Sequence, residues 1–570
     1  MLCADASRPR GGAGHGRPKN TSAYNIRALT RDLPALADTR FDVLVVGAGI
    51  YGATVAWDAA QRGLSVALID RGDFGAGTST NSAKTVHGGV RALQSGNLTE
   101  LRSFVRERRA LSRVAPHLVS PLPFVIPTYG GLTRNRLVMR AAFGLYDLVL
   151  ARDRNDLPDH SNHLPPSRLV SRDECLRLNP AIAPDGVTGG IIWHDCQMYN
   201  PDRVVLSFVL SAVGAGAVVA NHVEANGWLR DGERIIGVQA EDRLGTGSFD
   251  VRASLIVNAA GPWSPALLAD LPPALRAGPP RGLSKAMNLV TRAITTTHAL
   301  GGLAGSRFLF VAPWRGVSIV GTSHDPFDGR ADSLRVREAD VAAFLREVTQ
   351  AFPNAHLAPA DVRLVHRGLL PATDRAGHVL LKDSAVRDHR AEGVPGLMSV
   401  LGVRYTTARG TAERAVDMAF SILGHTPPRC RTAELPLVGG DIPDVRRFLA
   451  EVTAATDGAV DVSTRRRLAR SYGSRHRELL RMMVENRALA APLSDQCAVT
   501  RGEIVHAVRH EMAVHLEDAV LRRTETGSAG HPGQAALEEA ARVMGDEIGW
   551  HADERARQIA SIEPVYQLDP

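Results

Sequence analysis

Apolar and polar positions follow two periods along this chain, and the clearest switch between them lies within Phe41–Gly89. Val43-Leu44-Val45-Val46 is a continuous apolar run, which predicts a strand buried on both faces. Gly47-Ala48-Gly49-Ile50-Tyr51-Gly52 interrupts it, and Ala53, Ala56, Ala59 and Ala60 then predict a small-residue helix. Val66-Ala67-Leu68-Ile69 predicts a second strand, which ends in Asp70. Strand, glycine turn, helix, strand and acid stand in the order of a dinucleotide-binding unit. Gly47 turns the chain off the strand, Gly49 lets backbone N–H groups approach a pyrophosphate, and Gly52 lets helix and sheet close on each other. The helix N-terminus offers unpaired donors and partial positive charge to the phosphates. Asp70 follows Gly47 by 23 residues, near the roughly 20 expected of an acid on ribose hydroxyls.

Further along, Asn25–Leu36 predicts a short helix and Leu98–Val114 a basic one, and Pro116, Pro121 and Pro123 then break helical structure. Phe124–Pro127 reads as a strand. Arg134–Arg152 is amphipathic: Leu137, Ala141, Leu145 and Leu148 recur at helical spacing, flanked by Arg134, Arg136 and Arg140. Such a helix either packs on a neighbouring domain or lies in a membrane interface. Ile191–Met198, which contains Asp195 and Cys196, is a strand candidate, followed by a helix over Val204–Val213 and strands at Ala217–Val219 and Ile235–Ala240. Leu255–Asn258 is an apolar strand running into the small-residue turn Ala259-Ala260-Gly261, where a backbone can approach a ligand. Phe308–Trp314 and Val317–Thr322 predict a hairpin about Arg315-Gly316. Leu334–Phe352 predicts a helix, and Val365–Pro371 and Val379–Lys382 strands. Met398–Leu401 reads as a strand, Gly402-Val403-Arg404 as a turn, and Tyr405–Leu423 as a helix. Beyond Arg431 the chain turns helical and charged, with helices at Arg465–Tyr472, Arg501–Val514 and Ala535–Gly549.

At 570 residues, 44% hydrophobic and 22% charged, the chain reads as globular with two or three domains. Residues 1–20 read as a disordered tail without the apolar segment of a secretory signal. No apolar run reaches the ~18 residues of a spanning helix. Five scattered cysteines with no CxxC pair argue against disulfides and a metal site and fit a reducing cytoplasm. The net charge of +7 suits anionic substrates or an anionic membrane surface. With 5% aromatic residues and no basic–aromatic cluster, nucleic acid is not an expected partner.

The polar, irregular loop Thr78-Ser79-Thr80-Asn81-Ser82-Ala83-Lys84-Thr85-Val86-His87-Gly88-Gly89-Val90-Arg91 looks like a segment laid along a cofactor. It resembles the flavin-contacting segment of the FAD-dependent glycerol-3-phosphate dehydrogenases, within the amino-acid-oxidase-like flavoproteins. The resemblance runs from about Phe41 to Trp550. It implies an α/β fold: a Rossmann-like FAD-binding domain assembled from residues 41–115, 185–270 and 375–428, after a tail and lead-in at 1–40. A β-rich substrate domain would comprise 116–184 and 271–374, and an all-α cap 429–570. The implied cofactor contacts are Gly47, Gly49, Ile50, Tyr51, Gly52, Asp70 and Arg71 in the first unit. Thr78, Ser79, Ser82, Lys84, His87, Gly88 and Gly89 follow in the loop, Ala260 and Gly261 in the middle turn, and Gly402, Arg404, Tyr405, Thr406 and Thr407 at the late helix.

The same resemblance implies oxidation of a secondary alcohol, by default glycerol 3-phosphate to dihydroxyacetone phosphate. Electrons would pass to quinone or another acceptor, at the inner face of the cytoplasmic membrane, from a chain that could form a homodimer. His87, His366 and Arg404 are the candidate catalytic residues, and Arg91, Lys285, Arg367, Lys382 and Arg404 the candidates for substrate binding. The chain departs from the family pattern at several points. Ser284-Lys285-Ala286-Met287-Asn288 has no histidine where the family carries one, and Gly368-Leu369-Leu370-Pro371 has leucine at a phosphate-binding arginine position. Ala92 also replaces an aromatic residue, Lys382 an arginine and Arg404 a lysine. Two other readings therefore stand beside the first: an oxidase of amines or 2-hydroxy acids, and a flavin-binding protein with a decayed site.

Overall fold

A computed structural model describes residues 28–569, except 95, 132–133, 152–158, 246, 277–279, 306, 456–457 and 459. The expected tail and Arg152 lie outside the described residues, and the lead-in helix spans Leu33–Asp38. The strand Arg40–Val46 lies inside an eight-stranded sheet, parallel to Val66–Ile69 on one side and to Gly247–Asn258 on the other. Leu397–Leu401 adds beyond Gly247–Asn258, and Val218–Ala220 beyond Val66–Ile69. Residues more than two hundred positions apart in the chain are thus direct neighbours, as Val43 is of Leu255. The helices Ile50–Gln61, Pro201–Gly214 and Ala408–Ile422 pack together against this sheet, with Trp57 edge-on to Phe208 at 5.5 Å.

A nine-stranded sheet forms the second layer, built mainly from Val119–Tyr129, Val187–Met198, Gly282–Arg292 and the strands up to Val362–Ala372. The Arg307–Trp314 and Val317–Phe327 hairpin turns at Arg315-Gly316, both with positive φ, the backbone that matches strand twist in a two-residue turn. Three expectations need correction. Val187–Met198 and Thr85–Val86, which fall within the stretches assigned to the FAD-binding domain, pair in this second sheet. The reason is apolar matching: Trp193 stacks on Phe124 at 5.0 Å and packs against Phe143 and Phe310. Val379–Lys382 forms no strand, because the Asp374 carboxylate accepts the His378 and Val379 N–H groups and curls the chain into a turn. The strand lies just beyond, at Ala385–Asp388.

From Val445 onward the chain is helical apart from the small hairpin of Pro492–Ser494 and Cys497–Thr500. It is riveted to the first layer by buried charge. Arg523 donates to both oxygens of Asp73 at 2.6 Å, and Arg522 bridges Asp73 and Asp518, each at 2.7 Å. Arg523 is 1% exposed, so either partner left alone would be an uncompensated buried charge. Arg523→Ala should therefore cost about 3–5 kcal/mol of stability, read as a lowered denaturation midpoint; a midpoint like that of the wild type would discount the rivet.

Candidate active site

The glycine turn is held by backbone meeting backbone. Gly47 has φ +101°, and a Cβ there would sit 2.7 Å from the Ala259 carbonyl oxygen. A Cβ on Gly52 would fall 1.8 Å from the Gly47 oxygen. The Ile50–Gln61 helix begins at Gly49 with no side-chain cap, and Ile50 N–H donates to Ser79 Oγ at 2.9 Å. Asp70 accepts from Ala48 N–H at 2.6 Å and Gly72 N–H at 2.9 Å. Burial pushes its carboxyl up to about 6 against those two donors. Arg71 lies over the Trp263 ring at 4.8 Å and pairs with Asp332.

Tyr51 joins this turn to the late one. Its hydroxyl donates to the Arg404 carbonyl at 2.7 Å and accepts from Val403 and Arg404 N–H, each at 3.2 Å. Its ring fills the space above Gly402, where a Cβ would meet Tyr51 Cε2 at 2.2 Å. The Arg404 guanidinium pairs with Glu100 at 2.6 Å over the Phe104 ring. Thr406 Oγ1 in turn accepts from His87 N–H at 3.1 Å.

His87 is exposed to the cavity, and its Nδ1 lies 3.7 Å from Asp195 Oδ2. Asp195 is buried among donors: Gly88 N–H at 2.8 Å, Arg108 at 2.5 Å and Tyr146 at 3.1 Å. Burial alone would raise its carboxyl; His87, Arg108 and the Gly88 amide together hold it below the usual range. A Cβ on Gly88 would lie 1.9 Å from Arg108 Nη1 and 2.6 Å from Asp195 Oδ1. Asp195 was not among the candidate site residues. An acid inside the apolar strand Ile191–Met198 was the available signal, because such a group needs buried partners.

These turns line a single cavity of about 1030 Å³. Asp70, Arg71 and Trp263 wall one part of it, and Gly47, Gly49, Ile50 and Tyr51 the glycine turn. Thr78, Ser79, Ser82 and His87 line it from the loop, Ala260 and Gly261 from the middle turn, and Gly402, Arg404, Tyr405 and Thr406 from the late one. Asn288 and Thr322, joined by a 2.7 Å hydrogen bond, line it too, as does Leu370. Arg91 sits close enough to Arg404 and Arg307 to feel both charges and has no carboxylate partner among the described residues.

Several candidates lie outside that lining, Arg91 among them. His366 is buried edge-on to Trp314, and burial and the Lys84 charge hold its imidazole well below the usual range. Arg367 donates to the Pro564 carbonyl, Lys285 is paired with Asp340 at 2.7 Å, and Lys382 is exposed elsewhere. Lys84 is fully buried over the Trp314 ring, with Nζ on the Thr80 carbonyl, and burial holds its ammonium down to about 8. Gly52, Gly88 and Gly89 act through packing: a Cβ on Gly89 would lie 2.8 Å from Phe104. Thr407 is the residue before the Ala408–Ile422 helix and does not reach the cavity.

The donor set fits FAD: side-chain-free turns beside a helix start, an acid after the second strand, and a second helix entrance at the far turn. One group of metal-type ligands stands among the described residues, Asp73, His222 and Asp518. Arg522 and Arg523 already supply positive charge to both acids, which makes it an ion-pair knot.

Residues 42–418 match the family described as FAD dependent oxidoreductase, and 430–555 the C-terminal domain of alpha-glycerophosphate oxidase. The chain is 30% identical over 553 residues to a glycerol-3-phosphate dehydrogenase of Synechocystis, covering 93% of this chain and 97% of that one. It is 31% identical over 526 residues to glycerol-3-phosphate dehydrogenase 1 of Mycobacterium tuberculosis, covering 89% and 96%. The crystal structure of the Bacillus halodurans glycerol-3-phosphate dehydrogenase complexed with FAD superimposes with a TM-score of 0.72 at 25% identity, over 94% of this chain and 97% of that one.

Two outcomes follow from the loop. Gly88→Ala should break the Arg108–Asp195–Tyr146 cluster and yield protein that purifies without its yellow colour; a yellow variant as stable as the wild type would contradict the packing. Lys84 binds its proton less tightly folded than unfolded, so the cost of its buried charge is full below about pH 8 and fades toward 10.5. Relative to Lys84→Met, the wild type should gain stability across that range in denaturation experiments; a constant difference would mean Lys84 is not buried as a cation.

Proposed function

This chain belongs to the FAD-dependent oxidoreductases, in the branch of the glycerol-3-phosphate dehydrogenases, and we propose that it oxidises glycerol 3-phosphate to dihydroxyacetone phosphate. The observation that carries the reading is one cavity lined by both the dinucleotide turn and His87, with Asp195 behind the His87 ring and Arg91 close to Arg404 on the cavity wall. FAD, when bound, supplies the hydride acceptor for the alcohol carbon. His87 takes the hydroxyl proton at Nε2, since Asp195 lies on the Nδ1 side and orients the ring. Arg91 and Arg404 hold the phosphate, and that orientation contributes much of the rate. Asn288, from the stretch where the family carries a histidine, and Leu370, at a family arginine position, line the cavity. One lost buried phosphate contact is typically worth about ten- to a hundredfold in binding, so KM for glycerol 3-phosphate should be raised accordingly.

Electrons leave to a membrane quinone in this proposal. No described helix is long and apolar enough to cross a membrane. The helix Arg136–Ala151 instead turns apolar side chains outward: Leu137 is 82% exposed, Leu148 61% and Leu145 40%. They stand at helical spacing beside Arg134, Arg136 and Arg140, the pattern of a helix lying in an anionic lipid interface.

Anaerobic mixing with glycerol 3-phosphate should bleach the flavin at roughly one per second or faster; bleaching by amines or 2-hydroxy acids alone would replace the assignment. His87→Gln should slow the bleaching by about 10²–10⁴-fold with FAD retained, and undiminished bleaching would remove His87 as the base. Leu137→Glu with Leu148→Glu should abolish sedimentation with anionic vesicles while turnover with a soluble acceptor persists. Equal sedimentation would rule the helix out.

A further inference from the structure

A second cavity, of about 370 Å³, shares no lining residue with the one described above. It opens between two parts of the chain. The start of Val119–Tyr129 and the turn His160–Asn162 form one wall; the helices Val445–Ala454 and Val462–Tyr472 form the other. Arg446, Arg466 and Arg470 line it from the helical side, and Ser120, Ser161 and Asn162 face them.

The charge in this cavity is unbalanced. None of the three arginines makes a salt bridge or side-chain hydrogen bond among the described residues, although the other cap arginines commonly do. Arg466 and Arg470 are four apart on one helix, where like charges repel, and Arg466 is close enough to depress the Arg470 charge further after burial has done so. Asp159 joins the two walls, but its oxygens are spent: Oδ1 accepts from the Ser161 backbone and hydroxyl, and Oδ2 from Val445 N–H at 3.1 Å. Asn162 is 4% exposed, yet its amide Nδ2 has no hydrogen-bond partner. A buried donor left unmade is costly, and Asn162 is one of the residues around a cavity already rich in cations.

We propose that this cavity is a second anion site, built for the phosphate group of a small soluble ligand. A tetrahedral dianion is matched by fork-shaped guanidinium donors on one side and by the Asn162 amide and the Ser120 hydroxyl on the other. Bound there, it bridges Arg446, Arg466 and Arg470 of the helical region to Asn162 across the join and braces the two against each other. A phospholipid headgroup carries the same chemistry, so the test separates the two sources.

The FAD-loaded full chain is unfolded by heat, followed by flavin fluorescence, with inorganic phosphate or with chloride at equal ionic strength. Phosphate should raise the midpoint saturably, by about 2–4 °C. Arg466→Gln with Arg470→Gln should remove the rise. Arg446→Gln, an exposed change that leaves the fold alone, should raise the half-saturating concentration several-fold. Arg404→Ala should keep the rise, which separates this site from the catalytic cavity. Phosphatidic acid vesicles in phosphatidylcholine form the second arm. A response to vesicles and not to phosphate, lost in the double variant, assigns the site to a headgroup and overturns the soluble ligand. A rise matched by chloride, or one unchanged in the Arg446 and Arg466/Arg470 variants, overturns the site itself.

Discussion

Bare backbone contact is the constraint on which this molecule turns. Gly47 can lie against Ala259, Gly52 against Gly47 and Gly402 against the Tyr51 ring only because no side chain intervenes. The Gly47–Ala259 and Gly402–Tyr51 contacts join segments that are distant in the chain, and together they bring three turns around one cavity. The Tyr51 hydroxyl then fixes the spacing, since one atom contacts the Arg404 carbonyl and the Val403 and Arg404 amides. The His87–Asp195 pair inherits its position from the same frame, because His87 N–H is tied to Thr406 at the late helix.

Much of that frame was legible in the residues alone. The apolar run before Gly47, the small-residue helix after it and the turn at Gly402 are local patterns, and local patterns report local geometry. The helix Leu98–Val114 has the bounds its periodicity implied. What escaped depends on partners far away. Asp195, Arg108 and Tyr146 form one cluster only after a strand and two helices have packed, and nothing in the spacing of these residues announces it. The reverse error has the same origin. His366 and Lys84 sit in stretches that reach the cavity, yet their side chains turn inward to Trp314.

Two ion clusters divide the structural work. Asp73 lies three residues beyond Asp70, so the arginines that grip it also steady the loop leaving the second strand. Asp195 does the same for the loop carrying His87. Asp195 takes the Gly88 backbone amide and a guanidinium together, and Asp73 two guanidinium groups and the Asn221 side-chain amide, arrangements that make a buried charge tolerable. Arg91, without a carboxylate partner among the described residues, lies near Arg404 and Arg307.

The strand order of the first sheet also bears on how the protein is made. Val43 must wait for Leu255 before one edge of its strand is covered, an interval of roughly 200 residues, or about 10–40 s at ribosomal rates of about 5–20 residues per second. Throughout that time the nascent chain presents an unpaired, apolar edge. The cell that makes this protein therefore has to shelter it during translation, and pauses in its messenger within that window would lengthen the exposure.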